Sequence, residues 1–291
     1  MKRRAIQTHF FCLLGMFLLL AAVAAPNASA EFYVIAGSRG VGTQIKSLPA
    51  SISSPGFYYI TRDLSCAVGS HGITITADNV TLDLMGFSLV GPGGKGAYDG
   101  IYMSGRANVE IRNGTVRNFL RRGICDDNSG GTGHRIINIR ARDNGTSGIY
   151  LVGTSHMVER CAAVGNGGGP GIFTSTGSTV TGNTCYDNST SGIYTSIGST
   201  VTGNTCYDNT NCGIYASVGS TVTGNTCYAN GSDGITADSG STVTGNTCRG
   251  NTSYGINLSG NSLADQNTAT NNSTGNISSC VTCTFGLNHA P

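Results

Sequence analysis

Residues 171–191 read GIFTSTGSTVTGNTCYDNSTS and residues 192–212 read GIYTSIGSTVTGNTCYDNTNC. Residues 213–233 and 234–254 continue as GIYASVGSTVTGNTCYANGSD and GITADSGSTVTGNTCRGNTSY, and a decayed copy, GINLSGNSLADQNTATNNSTG, covers 255–275. A 21-residue unit made largely of Thr, Gly, Val and Asn cannot bury its few apolar positions alone and needs a copy of itself on each side. The period therefore specifies a solenoid of stacked coils.

Looser Gly-Ile starts at Gly148, Gly123, Gly100 and Gly72 extend the series towards the N-terminus, for about nine coils. In every strict copy Ile follows the Gly. Val180, Val201, Val222 and Val243 form a second column, and Cys185, Cys206, Cys227 and Cys248 a third. Successive side chains of a strand face opposite sides, so these columns point inward and Thr179 and Thr181, flanking Val180, point outward. Asn recurs at Asn183, Asn204, Asn225 and Asn246, and at Asn188, Asn209, Asn230 and Asn251. Stacked amides can bond from coil to coil, and Asn tolerates the left-handed backbone of such bends.

The Gly-Ile starts, the TVTGNT core and the two Asn columns resemble the right-handed parallel β-helix repeat family, which includes pectate-lyase-like and NosD-like proteins, over roughly residues 70–275. The resemblance implies an all-β, single-stranded right-handed solenoid with an N-terminal cap. The expected organisation is a secretory signal at 1–30, a cap at 31–70 with a turn at Pro55-Gly56, the β-helix at 71–275, and a tail at 276–291.

Lys2, Arg3 and Arg4, an apolar run from Phe10 to Ala25, and Ala28-Ser29-Ala30 read as a cleavable signal for a secreted, periplasmic or cell-surface protein, with no membrane span after cleavage. Removing those three cations leaves 14 basic against 15 acidic residues, a formal charge of −1, which argues against nucleic acid as a partner. A monomer is expected. Met85, Met103 and Met157 are dispersed, which speaks against the metal handling of NosD-like proteins.

The cysteines are expected as one apolar inward column of Cys161, Cys185, Cys206, Cys227 and Cys248, continued by Val116 and Ala141 above and by Ala269 below. Reduced thiols are the expectation, with disulfides or a metal as alternatives. Cys280 and Cys283 suit a local disulfide, or a pairing with Cys66.

Two outward columns carry aromatic side chains. One holds Tyr102, Cys125, Tyr150, Phe173, Tyr194 and Tyr215; the other holds Arg117 and Arg142, then Tyr186, Tyr207, Tyr228 and Arg249. Aromatic faces suit the C–H faces of sugar rings, and the flanking polar groups suit their hydroxyls. Charge is concentrated in residues 95–160, which hold 10 basic residues, Lys95 among them, and 6 acidic ones. The 25 residues between Gly123 and Gly148 leave room for a loop off the wall.

These features point to binding of an extracellular acidic polysaccharide and leave open its processing by lyase, epimerase or glycoside hydrolase chemistry. The catalytic candidates are Asp126, Asp127, Arg140, Arg142 and Asp143; the substrate-binding candidates are Tyr150, Tyr194, Tyr215, Tyr186, Tyr207, Tyr228 and Arg117. Asp126-Asp127 resembles the paired Asp of galacturonase-like hydrolases, whose Gly-His-Gly has at best Gly133-His134-Arg135 as its counterpart, and these are expected on different walls. The Asp-Pro-His cluster of mannuronan epimerases is absent, and His71, His134 and His156 read as solvated loop residues. No cofactor is expected, although a lyase would take calcium. The alternative is a non-catalytic structural or adhesive solenoid; a remoter one is ice binding through the Thr-Val-Thr array.

Overall fold

Each coil lays down three short strands where β-branched and apolar residues alternate with Thr, and bends wherever Gly, Asn or Asp interrupts them. The computed structural model describes residues 42–67, 69–94 and 96–291. The expected signal, residues 31–41 of the expected cap, and Lys95 lie outside the described residues.

All pairing is parallel and coil to coil. We name the three faces after their inward residues. The Ile face is a sheet of eleven strands from Ala50–Ile52 to Gly275–Ile277. The Val and Cys faces join into one bent sheet of 20 strands, because Glu110–Arg117 and Arg135–Arg142 run unbroken around the corner between them. The left-handed residues Asn113 (φ 57°) and Asn138 (φ 54°) turn these long strands.

The coil count is thus about eleven rather than nine. One added coil comes from the described part of the expected cap, where Ala50 pairs with Ile73, Gly56 with Val80 and Leu64 with Leu89. Pro49-Ala50 stands where later coils carry Gly-Ile, which hides this coil from a search for that pair. The other comes from the tail, where Ile277 pairs with Ile256 and Thr284 with Leu263.

The Gly of each Gly-Ile start is dictated by close approach of the chain to the next coil. A Cβ on Gly192 would lie 2.8 Å from the Gly213 carbonyl oxygen and 2.8 Å from Asn209 Nδ2, and a Cβ on Gly213 would lie 2.7 Å from the Gly234 oxygen. The Ile, Val and Cys columns are fully buried, as expected. Each buried Ile contributes about 1.5–3 kcal/mol relative to exposure.

The Asn ladders hold the corners together. Asn204 donates from its backbone N–H and from Nδ2 to Asn225 Oδ1 (2.9 and 3.0 Å), and Nδ2 also reaches the Val180 carbonyl at 2.9 Å. The second ladder repeats the geometry from Asn209 to Asn230. The left-handed residue at each bend is the one before the Asn, for example Gly182 (φ 64°) and Asp187 (φ 54°). A third interior column, not foreseen, runs His134, His156, Ser178, Ser199, Ser220, Ser241 and Ser262, each backbone N–H donating to the next side chain.

Cys161 is not in the thiol column. Ala163 takes that place, in register between Ala141 and Cys185, and Cys161 instead heads the Asn ladder, where its N–H bonds Asn183 Oδ1 at 2.8 Å. Cys161 stands 13 residues after Gly148, one fewer than the 14 that separate Cys185 from Gly171, and a register shift between Leu151 and Thr154 adds one residue to the Ile-face strand, so the column falls at Ala163. Cys185, Cys206, Cys227 and Cys248 are free and buried, while Cys280 and Cys283 are joined as a disulfide and leave Cys66 free.

Candidate functional site

Charged and aromatic outward side chains gather on two faces. On the Ile face, the column Tyr102, Cys125, Tyr150, Phe173, Tyr194 and Tyr215 is in register from coil to coil. His71 stacks on Tyr102 (4.4 Å between ring centroids) and meets Tyr98 edge-on at 5.4 Å. Buried Asp99 holds Arg121 by two bonds of 2.9 and 2.7 Å and accepts from the Arg122 N–H at 3.0 Å. Arg121 extends to Asp127 at 2.9 Å, and Asp127 also receives the Tyr102 hydroxyl at 3.3 Å. Arg122 closes the group, lying over the Tyr150 ring at 3.7 Å and donating to Cys125 Sγ at 3.0 Å.

The chemistry of this group follows from its partners. The Asp99 N–H donates to His71 Nδ1 at 3.0 Å, so the neutral imidazole carries its proton on Nε2. Burial holds the His71 pKa below its ordinary value, and burial also raises that of Tyr102. Cys125, sealed under the two arginines, is pushed up to about 12 by burial and by Asp99, which leaves it a protonated thiol rather than a nucleophile. His71 is therefore a partly buried ring in an aromatic cluster, not a solvated loop residue.

Asp126 is inside the coil. It is fully buried, accepting from Gly105 N–H (2.9 Å), Arg106 N–H (3.3 Å), Asn128 N–H (3.1 Å) and His134 Nε2 (2.9 Å). Burial alone would raise its pKa, but the His134 and backbone hydrogen bonds outweigh it and hold the carboxyl below its ordinary value. His134 and His156 are also buried and stack at 5.0 Å. Asp126 and His134 thus meet within the core instead of on separate walls, because both point inward across one turn. A carboxylate enclosed in this way has no access to a glycan.

On the Cys face, Arg117, Arg142, Val164, Tyr186, Tyr207, Tyr228 and Arg249 form one outward column. Arg142 bonds Asp143 at 2.8 Å; Arg117 and Arg140 have no carboxylate partner among the described residues. Arg140 lies two residues from Arg142 on the same strand and is exposed. The tyrosines stack at 4.7 and 4.8 Å with rings within 8° of parallel. Both faces of the Tyr207 ring are therefore taken by its neighbours, and the column offers solvent phenol edges rather than open faces. That corrects the expectation of a flat sugar platform along its length.

The expected site residues consequently divide. Asp127, Tyr150, Tyr194 and Tyr215 belong to the Ile face, and Arg117, Arg140, Arg142, Asp143, Tyr186, Tyr207 and Tyr228 to the Cys face and its corner. His71, Asp99, Arg121 and Arg122 were missed as one group. The signal was present: His71, Asp99 and Arg122 each immediately precede a Gly-Ile or Gly-Ile-like start, so they stack in one column. Among the described residues, no three His, Cys, Asp or Glu side chains are arranged to hold a metal ion.

Residues 128–274, half of the chain, match the family described as right handed beta helix region. The protein belongs to the right-handed β-helix family. Solved β-helix structures superimpose on it at low identity. The A-module of the mannuronan C-5 epimerase AlgE6 of Azotobacter vinelandii gives a TM-score of 0.59 at 16% identity over 81% of this chain and 88% of that one. A variant of the periplasmic alginate epimerase AlgG gives 0.60 at 14% over 82% and 76%. The Dettilon tailspike protein gives 0.59 at 16% over 78% of this chain and 54% of that one. At these identities the likeness establishes the β-helix fold alone. No curated protein matches the sequence.

Proposed function

We propose that this β-helix protein binds an acidic polysaccharide along its Cys face, in an extracellular or periplasmic setting. The observation that carries the reading is the pair of uncompensated guanidiniums, Arg117 and Arg140, beside Arg142, at the head of a column that continues as a row of phenol edges. Every other Arg of the charged region has a carboxylate partner. Guanidinium donors facing solvent match carboxylates in both charge and geometry. The phenol edges repeat at about 4.8 Å along the solenoid, one donor–acceptor per coil for a linear chain of hydroxyl-bearing rings.

The reading is one of binding. Hydrolysis by an Asp126–Asp127 pair would need both carboxylates to reach one glycosidic bond, and Asp126 points into the core. The neighbours named for alginate epimerisation accord with an acidic glycan. Retention of the wild-type protein on immobilised alginate or pectate and on a neutral glucan tests the reading. Retention on the acidic supports alone, weakening as salt is raised, supports it. Absence of retention at low salt removes it and leaves a structural or adhesive solenoid.

A further inference from the structure

The phenol ladder ends at Tyr228, and there the repeat departs from itself. The two preceding copies read Cys-Tyr-Asp-Asn at 185–188 and 206–209; the next two read Cys-Tyr-Ala-Asn at 227–230 and Cys-Arg-Gly-Asn at 248–251. Within one coil the stack therefore stops and the turn loses its acid, since Asp187 and Asp208 are followed in their column by Ala229 and Gly250. A cation, Arg249, enters the aromatic column. Tyr228 is stacked on one side only, by Tyr207 at 4.8 Å, and at 38% exposure it is, among the described residues, the one tyrosine that ranks with the exposed large hydrophobic side chains. Arg249 is exposed and has neither an ion-pair nor a side-chain hydrogen-bond partner among the described residues. Beyond it the column falls to Thr270, so only a flexible side chain borders the free face of the Tyr228 ring.

We infer that Tyr228 and Arg249 form a subsite for a single uronate residue, whose ring lies on the free Tyr228 face while Arg249 takes its carboxylate. This rests on the acidic-polysaccharide reading and names a second point of contact for it, five coil steps or about 24 Å from Arg142. An aromatic face supplies the contact with the C–H face of the sugar and the guanidinium supplies the charge-assisted bonds. Tyr207 has both ring faces covered, and the turns that follow Tyr186 and Tyr207 carry Asp187 and Asp208, whose charge opposes a carboxylate.

The backbone permits a test that leaves the fold intact. Ala229 (φ 53°) occupies the same left-handed conformation as Asp187 (φ 54°) and Asp208 (φ 52°), one that Asp tolerates better than Ala. Ala229→Asp therefore restores the residue of the earlier coils and places a negative charge beside the subsite. The probes are trigalacturonate and its neutral methyl ester, followed by the ring-proton resonances of the tyrosines. The expected result is that trigalacturonate shifts Tyr228, that Ala229→Asp and Arg249→Gln each weaken it about tenfold with little effect on the ester, and that Tyr228→Leu weakens both probes. Arg140→Ala with Arg142→Ala leaves trigalacturonate at Tyr228 unchanged. An acid-to-ester preference that survives both Ala229→Asp and Arg249→Gln overturns the subsite, as does an unshifted Tyr228. If the subsite variants change nothing while alginate is still retained, this inference falls and the wider reading stands. If the wild type shifts Tyr228 but the Arg140/Arg142 pair does not matter to the polymer, the subsite stands and the Cys-face Arg group falls.

Discussion

The two halves of the solenoid solve one packing problem by different means. From Gly171 to Tyr254 every coil has the same length and five interior columns are each one residue type, Ile, Val, Cys, Asn or Ser, while the column Thr174, Thr195, Ala216 and Ala237 varies. Between 72 and 164 the coils are longer, the strands reach eight residues, and the interior admits Asp126, His134, His156 and Cys161. The regular half is held by two Asn ladders; one of them runs on through Asn166 to Asn144 in the irregular half, which adds one-off networks such as Asp126–His134. Charge follows the same division, because insertions that break the ladders also bring arginines and carboxylates to the surface.

The largest effect is expected where the regular interior is given an unpaired charge. Ile214→Asp buries a carboxylate amid the Ile column and should cost about 3–5 kcal/mol, enough to melt several coils together, whereas outward Thr202→Asp should cost under about 1 kcal/mol. Thermal unfolding checks both; equal losses would mean that the inward and outward assignments are wrong.

The irregular half should be the acid-sensitive one. Burial lowers His156 from 6.5 to about 4, so the folded state binds fewer protons than the unfolded chain over that interval. Stability is then fully present above pH 6.5 and is lost as pH falls towards 4, by about 3 kcal/mol in all. The other ionisable groups facing this ring are His134 and Asp126. His156→Ser, the residue that the regular half carries at Ser178, should flatten the dependence in urea melts taken across this range.

Ladder substitutions should show a smaller contrast. Asn225→Ala leaves the Asn204 donors without their acceptor and should cost about 2 kcal/mol. Cys161→Asn extends the same ladder by one coil and should be neutral or stabilising by up to about 1 kcal/mol, as read by denaturant midpoints. The smallest effect concerns Thr195, whose buried hydroxyl has no hydrogen-bond partner. Thr195→Val removes that hydroxyl at nearly constant volume and should raise stability by about 1 kcal/mol; a loss would show that the hydroxyl is satisfied after all.

Legibility divided along the same line. In the regular half the period fixes the register, so the Ile, Val, Cys and Asn columns could be read directly. In the irregular half residue type misleads: Cys161 matches the other thiols chemically but stands one residue short of their spacing from the Gly-Ile start, and the extra residue after Leu151, which puts Ala163 in the column, has no compositional mark. Asp126 and Asp127 looked like a pair because they are adjacent, although adjacency in a strand puts one side chain in and the next out. The tyrosine columns were legible as columns. That the Cys-face rings cover one another follows only from their 4.7–4.8 Å parallel stacking.

Under the proposed function the Cys-face arginines, and not the charge of the irregular half in general, hold an acidic glycan. The most direct test measures alginate affinity at low salt for two double variants that remove equal charge: Arg140→Ala with Arg142→Ala on the Cys face, and Arg135→Ala with Arg160→Ala, whose guanidiniums already pair with Glu110 and Glu159. The account predicts that the first loses affinity about tenfold or more while the second changes it less than about twofold. Equal losses, or none in the first, would contradict it.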